Sequence, residues 1–243
     1  MFIKPSSDDV VVEYMLITAT GTESRFSVRL DRTSGRLITE DPSDHPEWTR
    51  LEHRQCSNCP LSTEDTPWCP AALAIEEVVD RFEPQPSHAR CTLRVTDERR
   101  TIVNEDVPVQ LALRSIMGML IAASGCPHTA FLRPMARFHL PLSSREETNY
   151  RVTTMWLMGE YFRARRGEAA DFSMTGLVEA YERLPILNRA LADRIRTTAA
   201  TDAPVNAVVS LDTLAMFVPM AVTSELDEIE GLFLPEPPPV ELP

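Results

Sequence analysis

Three of the chain's five cysteines and one of its five histidines crowd into one short stretch. It reads His53-Arg-Gln-Cys56-Ser-Asn-Cys59-Pro-Leu61, then Trp68-Cys69-Pro70 after a polar loop. Buried structural cysteines have no reason to gather on a polar loop, so this crowding constrains the chain more than any other feature. It points to a metal knuckle. Cys56-x-x-Cys59 lets two thiolates bind one ion from a tight turn, and Cys69 is within reach of the same ion. Pro70 suits the first position of a helix, which puts Cys69 at the N-cap, where the helix dipole favours a thiolate.

Zinc asks for four N or S ligands in a closed tetrahedron. The fourth ligand is either local, His53, or distant, in Gly125-Cys126-Pro127-His128. Cys126 is preferred, with His53 and then His128 as alternates, because a Cys56, Cys59, Cys69, Cys126 set would tie two halves of the chain together. Cys59, Cys69 and Cys126 each precede proline, a pairing that suits an iron–sulfur cluster as well as zinc. The spacing favours zinc over a cluster. Free or redox-active thiols are the remaining reading. A thioredoxin-like role fits poorly, since that motif opens a helix after a strand and here Pro60 and a polar loop follow. Cys91 alternates with Leu93 and Val95 and reads as a core residue.

The net charge of −12 argues against nucleic-acid binding, which needs clustered Lys and Arg, and equally against anionic membranes. No secretory leader is recognisable at Met1 to Asp9. The apolar stretch Val205 to Val222 carries Asp212 and Pro219 and reads as a buried helix rather than a span. These features imply a cytoplasmic protein, in which cysteines serve as metal ligands or redox groups rather than disulfides.

Residues 1–105 read as an α+β domain carrying the knuckle. Val10 to Thr18 and Phe26, Val28 and Leu30 form strands, and Arg36 to Thr39 adds a short third. One helix follows Pro70 and ends at Glu83-Pro; Cys91 to Thr96 and Thr101 to Asn104 then form a small antiparallel sheet with the rest. Residues 106–234 read as an α-helical domain of four to five helices. Its elements are Val107 to Ala123, an irregular segment to Leu142, a helix capped at Ser143 with Glu146, and one capped at Ser173, broken or kinked at Pro185 and resuming to about Thr198. The last opens at Asp202. In the helix after Ser143, the expected inner face is Val152, Met155, Trp156, Gly159 and Phe162. Residues 235–243 are an acidic, proline-rich tail.

A second constellation is Arg133-Pro-Met-Ala-Arg137-Phe-His139, with Arg145 beyond. Arg133, Arg137 and His139 form a candidate anion site, with His139 and His128 as acid or base groups. The bland alternative is that these arginines find carboxylates in a very acidic chain. No nucleophile triad, phosphate-cradling glycine loop or HExxH-type motif is visible.

Taken together, His53-x-x-Cys56-x-x-Cys59-Pro-Leu, Cys69-Pro, Ser124-Gly-Cys-Pro-His-Thr and Arg133-Pro-Met-Ala-Arg-Phe-His139 resemble a bacterial domain family of unknown function, across most of the chain. The resemblance implies a bacterial cytosolic setting and supplies no activity. The residues themselves lead to a non-enzymatic metal-binding protein, regulatory or an interaction module, with a protein partner or small anionic ligand. An iron–sulfur or zinc enzyme acting on a small anion at the domain junction is the alternative, and a thiol redox sensor the third.

Overall fold

The computed structural model describes residues 9–39, 44–82, 86–199, 201–224 and 226–234. The expected loop at 40–43, the helix stop at 83–85 and the tail at 235–243 lie outside these residues. The fold is α+β: a four-stranded antiparallel sheet backed by helices.

Alternation builds the sheet. In β1 (Asp9–Thr18) the residues Val10, Val12, Tyr14 and Leu16 are buried, and in β2 (Glu23–Asp31) so are Phe26, Val28 and Leu30. The hairpin register sets Val10 opposite Leu30, Val12 opposite Val28 and Tyr14 opposite Phe26, so the buried apolar side chains share one face. Gly21, at φ +80°, makes the turn. β3 (Arg90–Thr96) lies on the other side of β1, and β4 (Thr101–Pro108) is the edge, in the order β2-β1-β3-β4. A bulge between Cys91 and Leu93 interrupts the β3–β4 register, and Asp106 opposite it takes φ +54°. The expected third strand at Arg36 to Thr39 shrinks to a single bridge, Leu30 to Leu37. The physical reason is competition: the Leu37 N–H donates to Ala123 O (3.0 Å), at the end of a helix.

That helix is α2 (Val109–Ala123), the centre of the molecule. Leu113, Ile116, Met117, Met119 and Leu120 are all buried, each worth about 1.5–3 kcal/mol against exposure. The Tyr14 hydroxyl reaches the Met119 sulfur at 3.5 Å, which fastens the sheet to α2. α1 (Pro70–Phe82) packs beside α2 through Ala71, Ile75, Val78 and Phe82. The core is continuous from sheet to helices, and the boundary expected near residue 105 falls inside β4, which passes straight into α2.

Beyond α2, the segment expected to be irregular contains a 3₁₀ turn, Pro127–Leu132, and α3 (Arg133–Arg137). α4 (Arg145–Arg165) has its capping box one residue later than expected. The Ser144 hydroxyl accepts from Glu147 N (3.1 Å) while the Glu147 carboxylate accepts from Ser144 N (2.8 Å). Its inner face is narrower than expected: Val152 is buried, but Phe162 is 50% exposed and the other buried positions are Asn149, Thr153 and Glu160.

α5 (Thr175–Ile195) runs through Pro185 unbroken. Ser173 does not cap it. Asp171 does, accepting from Gly176 N at 2.7 Å and from the Ser173 hydroxyl at 2.5 Å. These hydrogen bonds, the Ser173 one first, hold the Asp171 carboxyl below its ordinary range. A Cβ at Gly176 would meet Trp156 Cζ2 at 2.9 Å. Gly176→Ala is therefore expected to destabilise by about 1–3 kcal/mol, read as a lower urea midpoint with unchanged slope. α6 (Ala203–Ser224) packs on α2 and α5, and Asn188 Nδ2 donates to Asp212 Oδ1 at 3.1 Å. By length and composition alone α6 is apolar enough to cross a membrane. α7 (Asp227–Phe233) follows.

Candidate metal centre

The knuckle is built on a short strap. A 3₁₀ turn at Glu47–Thr49 leads into Arg50, which bridges to Trp68. The Leu51 N–H donates to Pro67 O (2.9 Å) and the Cys69 N–H to Thr49 O (2.8 Å). These bonds close the base of a loop whose body carries Cys56 and Cys59. The Cys59 N–H donates back to Cys56 O at 3.0 Å, which makes the tight turn that two ligands on one ion require. Cys69 directly precedes Pro70, the first residue of α1, and its carbonyl accepts the Leu73 N–H at 3.0 Å.

Cys126 comes from the other half. Gly125, at φ +89°, turns the chain out of α2, a conformation that any side chain would strain. Cys126 then stands immediately before the Pro127–Leu132 turn, and the His128 and Thr129 N–H groups donate toward its sulfur. The His128 side chain crosses to the knuckle. Its Nε2 lies 2.9 Å from Asn58 O, and since a carbonyl only accepts, Nε2 carries the proton. His53 is half-buried and its Nε2 pairs with the Thr197 hydroxyl at 3.2 Å, at the far end of α5.

Cys56, Cys69 and Cys126 are buried and Cys59 is half-buried; all are free thiols. Burial pushes the Cys56 thiol up to about 12, and charge on Cys69, Cys59 and Cys126 pushes the same way, offset in part by Arg194. Cys126 is pushed up to about 11, first by burial and then by Cys69 and Cys59, against the two N–H donors. Four sulfurs from both halves thus lie within range of one another's charge. Among the described residues, no group of three or more His, Cys, Asp or Glu side chains is placed so that it could hold a metal ion. Zn–S bonds are about 2.3 Å, so filling the site would require these sulfurs to move together. Cys91 stands apart in the core, its sulfur 3.4 Å from Val107 O, with burial raising it to about 11.

The second constellation is less collected. Arg137 and His139 share a cleft with Arg99, Arg100 and Phe138 over an apolar floor of sheet residues, but Asp97 and Glu98 line it too. Arg133 is outside that lining and packs by Gly35, and Arg145 lies over Phe217 (4.9 Å). Arg137 stacks on Phe138 at 5.1 Å, and Glu98 is held below its ordinary range first by its hydrogen bond from Arg32 and in smaller part by the Arg137 charge. His139 keeps some surface but is enclosed on most sides. That enclosure, then the Arg151 charge, pulls it down to about 3, and its Nε2 pairs with the Ser115 hydroxyl at 3.3 Å. It is neutral near pH 7 and supplies no positive charge to an anion.

A family model, a domain of unknown function (DUF6901), matches residues 12–234. The chain belongs to the DUF6901 family. Neither the curated proteins nor the solved structures contain a match.

Cys56, Cys59, Cys69 and Cys126 all fall inside the DUF6901 region. So does a residue that sequence reasoning passed over. Arg194 on α5 is 1% exposed, and its guanidinium holds the carbonyls of Trp48, Arg50 and Leu51, the strap under the knuckle. One signal was legible. Leu177, Leu184, Leu187, Leu191 and Ile195 set an apolar helical stripe, and Arg194 sits three residues after Leu191 on that stripe.

Proposed function

We propose that this DUF6901 protein binds a metal ion, zinc in preference to an iron–sulfur cluster, through Cys56, Cys59, Cys69 and Cys126. The observation that carries the reading is that buried thiols from both halves of the chain interact by charge at one place. Four-sulfur closure is the usual form of a structural zinc site, and such sites contribute folding energy directly. Proline after Cys69 and Cys126 starts a helical turn at each, which stiffens the backbone, and at Cys126 the His128 and Thr129 N–H groups favour the thiolate. His128, already bonded to Asn58 O, supports the assembly from outside.

The role follows from position. The centre would clip the strap and α1 to the end of α2, making the ion a fastener for a regulatory or interaction module. The neutral state of His139 gives no support to acid–base chemistry beside it.

Anaerobic purification followed by elemental analysis and a visible spectrum tests the reading. The expected result is one zinc per chain and a colourless solution. A brown sample with iron and sulfide would replace zinc by a cluster and favour a redox role. Metal-free protein that forms disulfides rapidly in air would replace the whole reading by a thiol sensor.

A further inference from the structure

Arg194 raises a problem that hydrogen bonding alone does not solve. Its Nη1 donates to Trp48 O (2.9 Å) and to Arg50 O, and its Nη2 to Leu51 O (2.8 Å). Its Nε is buried and has no hydrogen-bond partner. Among the described residues no carboxylate forms an ion pair with it: the ion pairs of this chain join other arginines to their acids. A guanidinium keeps its charge at any physiological pH, so a positive charge sits in the interior with three neutral carbonyls as its hydrogen-bond partners. Such a charge is strongly unfavourable unless an anion faces it.

The three carbonyls it holds belong to the strap under the knuckle, where Thr49 O also accepts the Cys69 N–H at 2.8 Å, so its charge stands beneath the thiols. Two more buried donors also lack partners: Trp48 Nε1, whose own carbonyl Arg194 holds, and Asn58 Nδ2, inside the Cys56–Cys59 turn, where Asn58 Oδ1 is unpaired as well. Buried N–H groups are nearly always paired, so three orphans around one thiol cluster call for acceptors that neutral thiols provide only weakly. Thiolates on a metal are such acceptors, and N–H donors and nearby positive charge are what stabilise them.

We propose that Arg194 is the counter-charge of the filled centre, a positioning residue whose buried guanidinium balances the thiolates and couples their ion to the packing of α5. This rests on the metal reading above. Four thiolates on a divalent ion leave a net charge of about −2, whereas three thiolates and a histidine leave about −1. The more anionic set answers a buried guanidinium better, which favours Cys126 over His53 or His128 as the fourth ligand.

The test compares Arg194→Gln with Arg194→Lys in the full chain, using zinc affinity by chelator competition and the sulfur-to-metal bands of the cobalt(II)-substituted protein. Glutamine can still donate to a carbonyl but is neutral; lysine keeps the charge but cannot span three carbonyls. The expected order is wild type, then Arg194→Lys, then Arg194→Gln, with the neutral variant about 10- to 100-fold weaker for zinc and its cobalt bands shifted. Affinity within twofold of wild type in a folded Arg194→Gln protein would overturn the proposal. Equal losses in both variants would also overturn it, reducing Arg194 to a carbonyl clamp. Should the glutamine variant fail to fold, the lysine variant decides alone: zinc affinity retained with unshifted cobalt bands supports the counter-charge, and loss as large as 100-fold sinks it. Wild-type protein that takes up neither zinc nor cobalt refutes the metal reading itself, and this proposal with it.

Discussion

Replacing Cys126 with serine is expected to leave the purified protein without its ion and to lower its thermal midpoint by about 10 °C. The first effect follows from ligand chemistry: a hydroxyl is a poor zinc ligand and three ligands do not close a structural site. The second follows from linkage, because an ion bound only by the folded state adds its binding free energy to stability. A few kcal/mol of that, at about 2–4 °C per kcal/mol for a chain of this size, gives the shift. Cys126 is the informative ligand because it alone comes from beyond α2. Cys91→Ala is the matched control. Cys91 is buried in the sheet with its sulfur toward Val107 O, so its loss should cost about 1 kcal/mol and leave metal content untouched. Equal metal content in the Cys126 and wild-type proteins would remove Cys126 from the ligand set.

The second large effect is on pH dependence, and it has opposite character with and without metal. In the metal-free protein Cys56 titrates at about 12 and Cys126 at about 11, both raised from 9.0. A thiol whose folded pKa is raised holds its proton more tightly folded than unfolded. The stability it contributes is complete below pH 9 and is lost as pH rises toward 11 to 12. For Cys56 the shift corresponds to an upper bound of roughly 4 kcal/mol. Metal-free protein should therefore show a falling urea midpoint between pH 9 and pH 11. The metal-loaded protein, whose thiolates have already given up their protons, should stay nearly level over that range. Parallel curves for the two forms would mean that these thiols are not the ligands.

Much of the fold was legible in the chain because its signals are local. Alternation at Val10 to Leu16 and at Phe26 to Leu30 depends only on neighbours in sequence, and both strands and their turn are where the pattern puts them. So is α1 behind Cys69-Pro70, since a proline at the first helical position needs no distant partner. The misreadings share another cause. Leu37 fails to extend a strand because the end of α2 takes its N–H, and Ser173 loses the cap of α5 to Asp171. Phe162 fits a helical stripe in sequence yet faces outward on α4. For Leu37 and Ser173, a partner distant in the chain or slightly better placed outcompeted the local pattern.

The candidate centre divides along the same line. The sequence alone determined that Cys56, Cys59 and Cys69 must be neighbours, because a two-residue turn and a short loop leave them little room to separate. It also set Cys91 aside, by strand alternation. Only the tertiary structure brings the Cys126 thiol within charge range of them, just past the left-handed Gly125 and beside the His128 contact to Asn58 O. Only it placed the Arg194 charge beneath the strap, 138 residues after Cys56 in the chain but acting directly on that thiol. Spacing reports what the backbone can reach locally; which distant charge is buried beside which thiol is settled by how α2 and α5 pack.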